Sequence, residues 1–377
     1  MARKSGSFTV STLMVAASLF VGGACGSLVR LALSALQPAD VTWPWMTTTI
    51  NLTGAFLLGF ITAYMAALGP DIGVWRVTRL GLGTGLIGGY TTYSTFMLEV
   101  AKRIKSGEAA IAVAYLLVSI LVGLLCAMLG LAVGKAVGKR RARRDGLELD
   151  AAESQGNRGN GSDGLNGQAE ASISSVSAAS QDSAGLVDTD ESGESVNPVK
   201  PDKSADFAEP AEPIDSIDSI DSTEPNRGRL VGVTFLLFAC VAAAALLLNP
   251  HWWQDIIALG LLLVASLLGG LGAFARYGVD AWVNNHIHLP FPCGTIAVNF
   301  TACLAMGLVA GWCATHVGLT TLQYLLASGF LGGYSTFSTA SVEGAKLANG
   351  GKPLWAFVHT AGMMVISLAL LMLGMMV

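Results

Sequence analysis

The chain has 377 residues, of which 52% are apolar and only 13% charged, with a mean hydropathy of +0.56. Several apolar runs exceed the roughly 20 residues that cross a bilayer, so a water-soluble globular protein is excluded. The formal charge of −4 is uninformative about partners, because 19 of the 26 acidic residues lie between Asp145 and Glu224 against three basic ones. No nucleic-acid partner is expected, and the bilayer is the expected surrounding.

In chain order the hydropathy predicts nine spans, at 8–36, 46–68, 77–103, 109–135, 229–249, 256–277, 293–314, 321–347 and 353–377. The first follows MARKSGS as a secretory leader would. It lacks a small-residue cleavage site and continues through Arg30, so it reads as a retained span. The stretch 145–226, rich in Ser, Gly, Asn and Asp and ending in IDSIDSIDS, cannot bury enough apolar surface to order itself and reads as a disordered acidic tether. The six cysteines lie mostly in spans without a C-x-x-C pair and read as small apolar residues.

The chain repeats itself. Asn51-Leu-Thr53 returns as Asn299-Phe-Thr301, Arg30 as Arg276, Gly88-Gly89 as Gly332-Gly333 and Glu99 as Glu343. This predicts four parts: a four-helix repeat at 1–144, the linker at 145–228, a lone helix at 229–249 and a second repeat at 250–377. Four crossings return a chain to its starting side, so one added crossing turns the second repeat upside down. The basic cluster GKRRARR (138–144) belongs on the cytoplasmic side by the positive-inside rule. The N-terminus and linker are then cytoplasmic, and the C-terminus lies on the far side of a plasma membrane.

Two nonamers stand out inside spans, GGYTTYSTF (88–96) and GGYSTFSTA (332–340). Paired glycines followed by hydroxyl residues are poor helix material, and a break in hydrocarbon is tolerated only where protein or a cavity surrounds it. Close helix crossing at small residues is the alternative reading for one copy. Recurrence at equivalent positions favours two broken helices meeting at the midplane. The expected fold is an all-α membrane protein of two inverted four-helix repeats with broken third helices plus one connecting helix.

GGACGSLVR (22–30), NLTGAFLLG (51–59) and GLIGGYTTYSTFMLE (85–99) resemble the three signatures of the CrcB/Fluc fluoride channel family, and LGGLGAFARY (268–277), NFTACLAMG (299–307) and GFLGGYSTFSTASVE (329–343) resemble them again. Members of that family are usually four-helix subunits assembled as antiparallel dimers, so the resemblance implies a single fused chain that mimics such a dimer. It implies a structural sodium ion, not transported, on the backbone carbonyls of Gly88, Thr91, Gly332 and Ser335. It also implies a fluoride path with aromatic edges at Tyr93, Phe96 and Phe337 and a Tyr/Ser pair at Tyr115 and Ser119; the second half departs from the pattern at Ala340, His359 and Met363.

Fluoride is small and strongly hydrated, so its path needs donors that replace water. Those available are the amides of Asn51 and Asn299 and the hydroxyls of Thr92, Ser94, Thr95, Thr336, Ser338 and Thr339. Asn51 and Asn299 would otherwise be interhelical glue. Arg30 and Arg276 read equally as snorkelling ends or an electropositive vestibule. Glu99 and Glu343 are intramembrane acids, functional or structural. The competing reading, a coupled exporter of small cations or drugs, wants a carboxylate in its first span, and 8–36 and 256–277 hold none apart from Asp255 at an edge. No nucleophile, base or metal constellation suggests an enzyme. Because Ala340 stands where the first half has Phe96, one strong ion path and one weak path are expected.

Overall fold

A computed structural model of the chain describes residues 3–38, 42–69, 71–159, 227–247 and 255–377, and every regular element among them is helical. The first half comprises α1 (Arg3–Ser34), α2 (Trp45–Leu68), a third span in two pieces, α3 (residues 73–90) and α4 (Ser94–Lys105), and α5 (Ala109–Gly159). The lone helix α6 (Arg227–Leu247) follows. The second half repeats the order with α7 (Ile256–His286), α8 (Gly294–Thr315), α9 (residues 320–334), α10 (Phe337–Asn349) and α11 (residues 353–374).

Seven of these helices are long and apolar enough to cross a membrane, against nine spans expected from hydropathy. The two missing are 77–103 and 321–347, the third span of each half. Each is interrupted at Thr91 or Ser335, which take extended backbone, so no single piece is long enough to cross. Upstream of each break the chain widens into π turns, over Leu80–Ile87 and Tyr324–Leu331, which the hydropathy pattern does not signal. The repeat extends to the corners. Gly73 and Gly318 precede the broken spans and Gly107 and Gly351 the fourth helices, all four with positive φ that other residues avoid.

α1 and α7 lie side by side and antiparallel: Gly23 faces Ala273, and four residues on, Ser27 faces Gly269, four residues back. The two halves are therefore inverted with respect to each other. α6 runs the same way as α1. Its Phe238, 1% exposed, packs on Gly22 and Gly81, and seven residues later Ala245 joins Leu28, Leu31 and Ala32 in one apolar cluster. One crossing parallel to α1 is what an inverted second half requires. α5 continues as helix to Gly159, into the stretch expected to be disordered, where Leu, Glu, Ala and Gln sustain helical propensity; residues 160–226 of that stretch lie outside the described residues.

Glycines on α1 and α7 bring these helices into backbone contact with the broken spans. A Cβ at Gly26 would strike the Leu86 carbonyl and lie 2.8 Å from the Tyr90 nitrogen, and one at Gly272 would strike the Phe330 carbonyl and lie 2.8 Å from the Tyr334 nitrogen. Gly89 and Gly333 rest on the backbones of Gly23 and Gly269. Gly26→Ala is expected to lower stability in detergent by about 1–3 kcal/mol, because backbone has nowhere to move. Gly260→Ala on the open side of α7, with nothing within 4 Å, should be neutral or stabilising; thermal unfolding of both variants checks the contrast.

Candidate functional site

A helix that stops at Tyr90 strands the amides of Thr92, Tyr93 and Ser94 and the carbonyls they would have met, and hydrocarbon supplies no partner for them. Each finds one in a side chain. Asn51 on α2 clamps Thr92 from both ends: the Thr92 N–H donates to Oδ1 at 3.0 Å and Nδ2 donates to the Thr92 carbonyl at 3.0 Å. Asn299 on α8 holds Thr336 the same way, at 3.0 and 3.1 Å. Each amide keeps one N–H beyond this clamp.

The remaining amides are capped from the opposite half. The N–H groups of Tyr93 and Ser94 donate to the Ser335 hydroxyl at 3.1 and 3.0 Å, and the Ser338 N–H donates to the Thr91 hydroxyl at 3.4 Å. Hydroxyl pairs Ser94–Ser335 at 2.9 Å and Thr91–Ser338 at 2.8 Å close the arrangement. Thr92 and Thr336 cap their own helices through the N–H of Thr95 and Thr339, both at 3.3 Å.

The freed carbonyls meet arginines. Arg30 Nε and the Ser27 hydroxyl donate to the Gly89 carbonyl at 3.1 and 3.2 Å. Arg276 reaches across the interface to the first half, where Nη1 donates to the Gly88 carbonyl at 3.2 Å and Nη2 to that of Thr84. The two guanidiniums are 2% and 4% exposed, so neither snorkels to an interface. Arg30 also faces a cavity of about 520 Å³ shared with Thr47, Thr92, Thr95, Glu99 and Tyr324.

Beyond the breaks two parallel tracks emerge. In the first, Glu99 accepts from Thr47 at 2.7 Å and from the Tyr115 hydroxyl at 2.8 Å. Tyr115 meets Phe96 edge-on at 4.9 Å, Phe96 meets Phe337 edge-on at 5.7 Å, and Phe337 rests on Gly123 of α5. Ser119 is buried nearby with no protein partner for its hydroxyl. In the second track Glu343 accepts from Thr295 at 2.8 Å, and His359 occupies the position of Tyr115. Met363, at the position of Ser119, takes the Asn299 amide on its sulfur at 3.5 Å. Ala340 leaves a cavity of about 20 Å³ beside Tyr93, Phe337 and Met363, room for about one water. Tyr93 also touches both phenylalanines, with centroids 6.1 and 6.3 Å apart, so the rings of the two tracks meet at the centre.

Several participants are absent from the sequence-derived set. Thr47 and Thr295 sit four residues before the paired asparagines, a visible repeat signal. Gln37 and Asn284 each accept from an amide at the start of the next helix, at 2.9 Å from Met46 N and Gly294 N. Asp280, held by Asn284 at 3.3 Å, has no acidic counterpart on α1 and no motif to announce it.

Inverted repeats whose discontinuous helices meet in a buried polar centre define a multi-pass membrane protein of the channel and transporter class. The chain belongs to the CrcB family: the family described as CrcB-like protein, Camphor Resistance (CrcB), matches it twice, over residues 17–131 and 263–375. Relatives include the fluoride-specific ion channel FluC 1 of Mycobacterium bovis, 47% identical over 105 residues, covering 28% of this chain and 77% of the relative. The FluC 1 of Cutibacterium acnes is 43% identical over 103 residues, 27% of this chain and 72% of the relative. The FluC of Nitratidesulfovibrio vulgaris is 38% identical over 123 residues, 32% of this chain and 94% of the relative. No solved structure matches the chain.

Ser335→Ala removes the acceptor for two amides at once and is expected to cost about 1–2 kcal/mol, the value of a helix N-cap. Asn51→Leu, which strips Thr92 of partners for both its N–H and its carbonyl, should cost more, about 2–4 kcal/mol. Denaturation in mild detergent should rank them in that order.

Proposed function

We propose that the chain is a passive fluoride channel, one polypeptide reproducing an antiparallel pair of four-helix subunits and letting fluoride leave the cytoplasm down its electrochemical gradient. The relatives named fluoride-specific channels support this reading, and the observation that carries it is the first track. Its buried run of hydroxyls and edge-on rings, Thr92, Thr95, Phe96, Tyr115 and Ser119 with Phe337, offers donors and positive ring edges to an anion losing its water. Two buried guanidiniums beside the breaks add positive potential without a carboxylate in ion-pair distance among the described residues. The track thus favours an anion by fixed dipoles and charge. A coupled cation exporter is disfavoured, since α1 has no acidic residue and the Asp280 carboxylate on α7 is held by Asn284.

We also propose a structural sodium ion between the breaks. The donor set is suitable, because backbone carbonyls are hard oxygen ligands and the interruption frees those of Gly88, Thr91, Gly332 and Ser335 from helical bonding. Gly88 already accepts from Arg276, which leaves the second lone pair of that carbonyl for the ion. When bound, the ion neutralises carbonyl dipoles and joins the two halves. The basic cluster at 138–144, within α5 and past its apolar stretch, supports a cytoplasmic N-terminus and linker, with the C-terminus outside.

The tracks are unequal, and the first carries most of the flux. Proteoliposomes holding the chain should release fluoride and retain chloride; equal chloride flux would remove the assignment. Among single substitutions at neutral pH, Phe96→Ile and Phe337→Ile should abolish nearly all fluoride current while Tyr93→Ile leaves most of it. Loss of about half in each variant would mean that both tracks conduct equally.

A further inference from the structure

We propose that protons gate the second track through His359, so that it conducts fluoride when this histidine is charged and is closed when it is neutral. The inference rests on the fluoride-channel reading above.

His359 and Tyr115 occupy the same place in the two halves, but their surroundings differ. Tyr115 donates to Glu99 at 2.8 Å from an unbroken α-helix. His359 sits in π turns, Val358–Gly362, that the first half lacks, and such turns collect at functional positions because they re-aim a side chain. It is 0% exposed, and neither ring nitrogen has an aligned hydrogen-bond partner. Its Nε2 lies 3.4 Å from Glu343 Oε2, at ion-pair distance, while the other carboxylate oxygen of Glu343 is taken by Thr295. A fully buried imidazole whose nitrogens lack hydrogen-bond partners is a costly feature that calls for a reason.

The charges around this pair set the sign. Among the described residues, Glu343 on α10 is the one ionisable group recorded at ion-pair distance from His359. Asp280 on α7, Lys346 on α10 and Cys293 before α8 interact electrostatically with Glu343, and Arg276 on α7 offsets the charge of Asp280. With His359 neutral, an anion in this track is repelled by a Glu343 carboxylate whose Oε2 accepts no hydrogen bond, whereas in the first track both oxygens of Glu99 are held, by Thr47 and Tyr115. With His359 protonated, the imidazolium cancels the carboxylate and gains a second N–H, one of which can donate a charge-assisted bond to fluoride. Histidine changes charge in the range of ordinary cellular acidification, whereas the phenol of Tyr115 does not. Flux through the second track therefore rises as pH falls, and flux through the first does not follow it.

The test is fluoride efflux from proteoliposomes carrying the full chain, at equal pH on both sides, compared at about pH 8 and about pH 6 with protein-free vesicles subtracted. The unaltered chain should gain up to about twofold at the lower pH as a second track joins the first. Phe96→Ile, which closes the first track, should leave little flux at the higher pH and recover several-fold at the lower. Adding His359→Tyr, the first half's own residue, or His359→Gln to that background should remove the recovery, while size-exclusion profiles show which of the two variants folds. Recovery that persists in a folded His359 variant, or a flat pH profile in Phe96→Ile, overturns the gating. Absence of fluoride flux from the unaltered chain at both pH values instead overturns the channel reading itself.

Discussion

Every buried peptide group in a membrane needs a partner, and this structure is organised around two places where the helix does not supply one. At Thr91 and Ser335 the backbone turns extended, and orphaned amides at both breaks are met by asparagine from the second helix and hydroxyls from the opposite repeat, while Arg30 and Arg276 both serve carbonyls of the first break. The pieces that recur in the two repeats thus answer one demand. Glycines at 23 and 26 let α1 approach its broken span closely enough for Arg30, one turn further on, to reach the freed Gly89 carbonyl, whereas Arg276 of α7 reaches across to the other half.

The same requirement concentrates polarity where an anion can use it. Asn51 and Asn299 are first of all backbone clamps; Asn51 keeps a second N–H beyond its clamp, whereas Asn299 also donates to the Met363 sulfur. The buried hydroxyls and guanidiniums do double service, holding the breaks while generating positive potential in a region of low dielectric. Joining two repeats in one chain releases them from identity. The break itself has stayed nearly symmetric, because both helices would fail without it, whereas the track beyond has diverged at Ala340, His359 and Met363.

Much of this was legible before any coordinates. The near-constant offset between motifs exposed the repeat, the lone α6 implied its inversion, and two glycine pairs followed by hydroxyls marked the interruptions, which is why two of the expected spans are not continuous helices. What stayed hidden depends on contacts between distant residues. The exchange of caps between Thr91 and Ser338, and between Ser335 and Ser94, joins positions far apart in sequence, and no local pattern distinguishes such a hydroxyl from one lining a path. The π turns arise where backbones touch at glycines, and hydropathy is blind to them. The helix to Gly159 was masked by the acidic composition that follows it.

The exchanged caps have a consequence for biosynthesis. Ser335 is translated some 240 residues after Thr91, and at roughly 5–20 residues per second the ribosome needs on the order of tens of seconds to reach it. Throughout that interval the amides of Tyr93 and Ser94 lack the hydroxyl they eventually donate to. Two separate chains could each meet a finished partner in the bilayer; here the first repeat must wait for the second half of its own chain. Its nascent first half is therefore a natural client for insertion factors and quality-control proteases, and rare codons in the intervening stretch would lengthen the exposure.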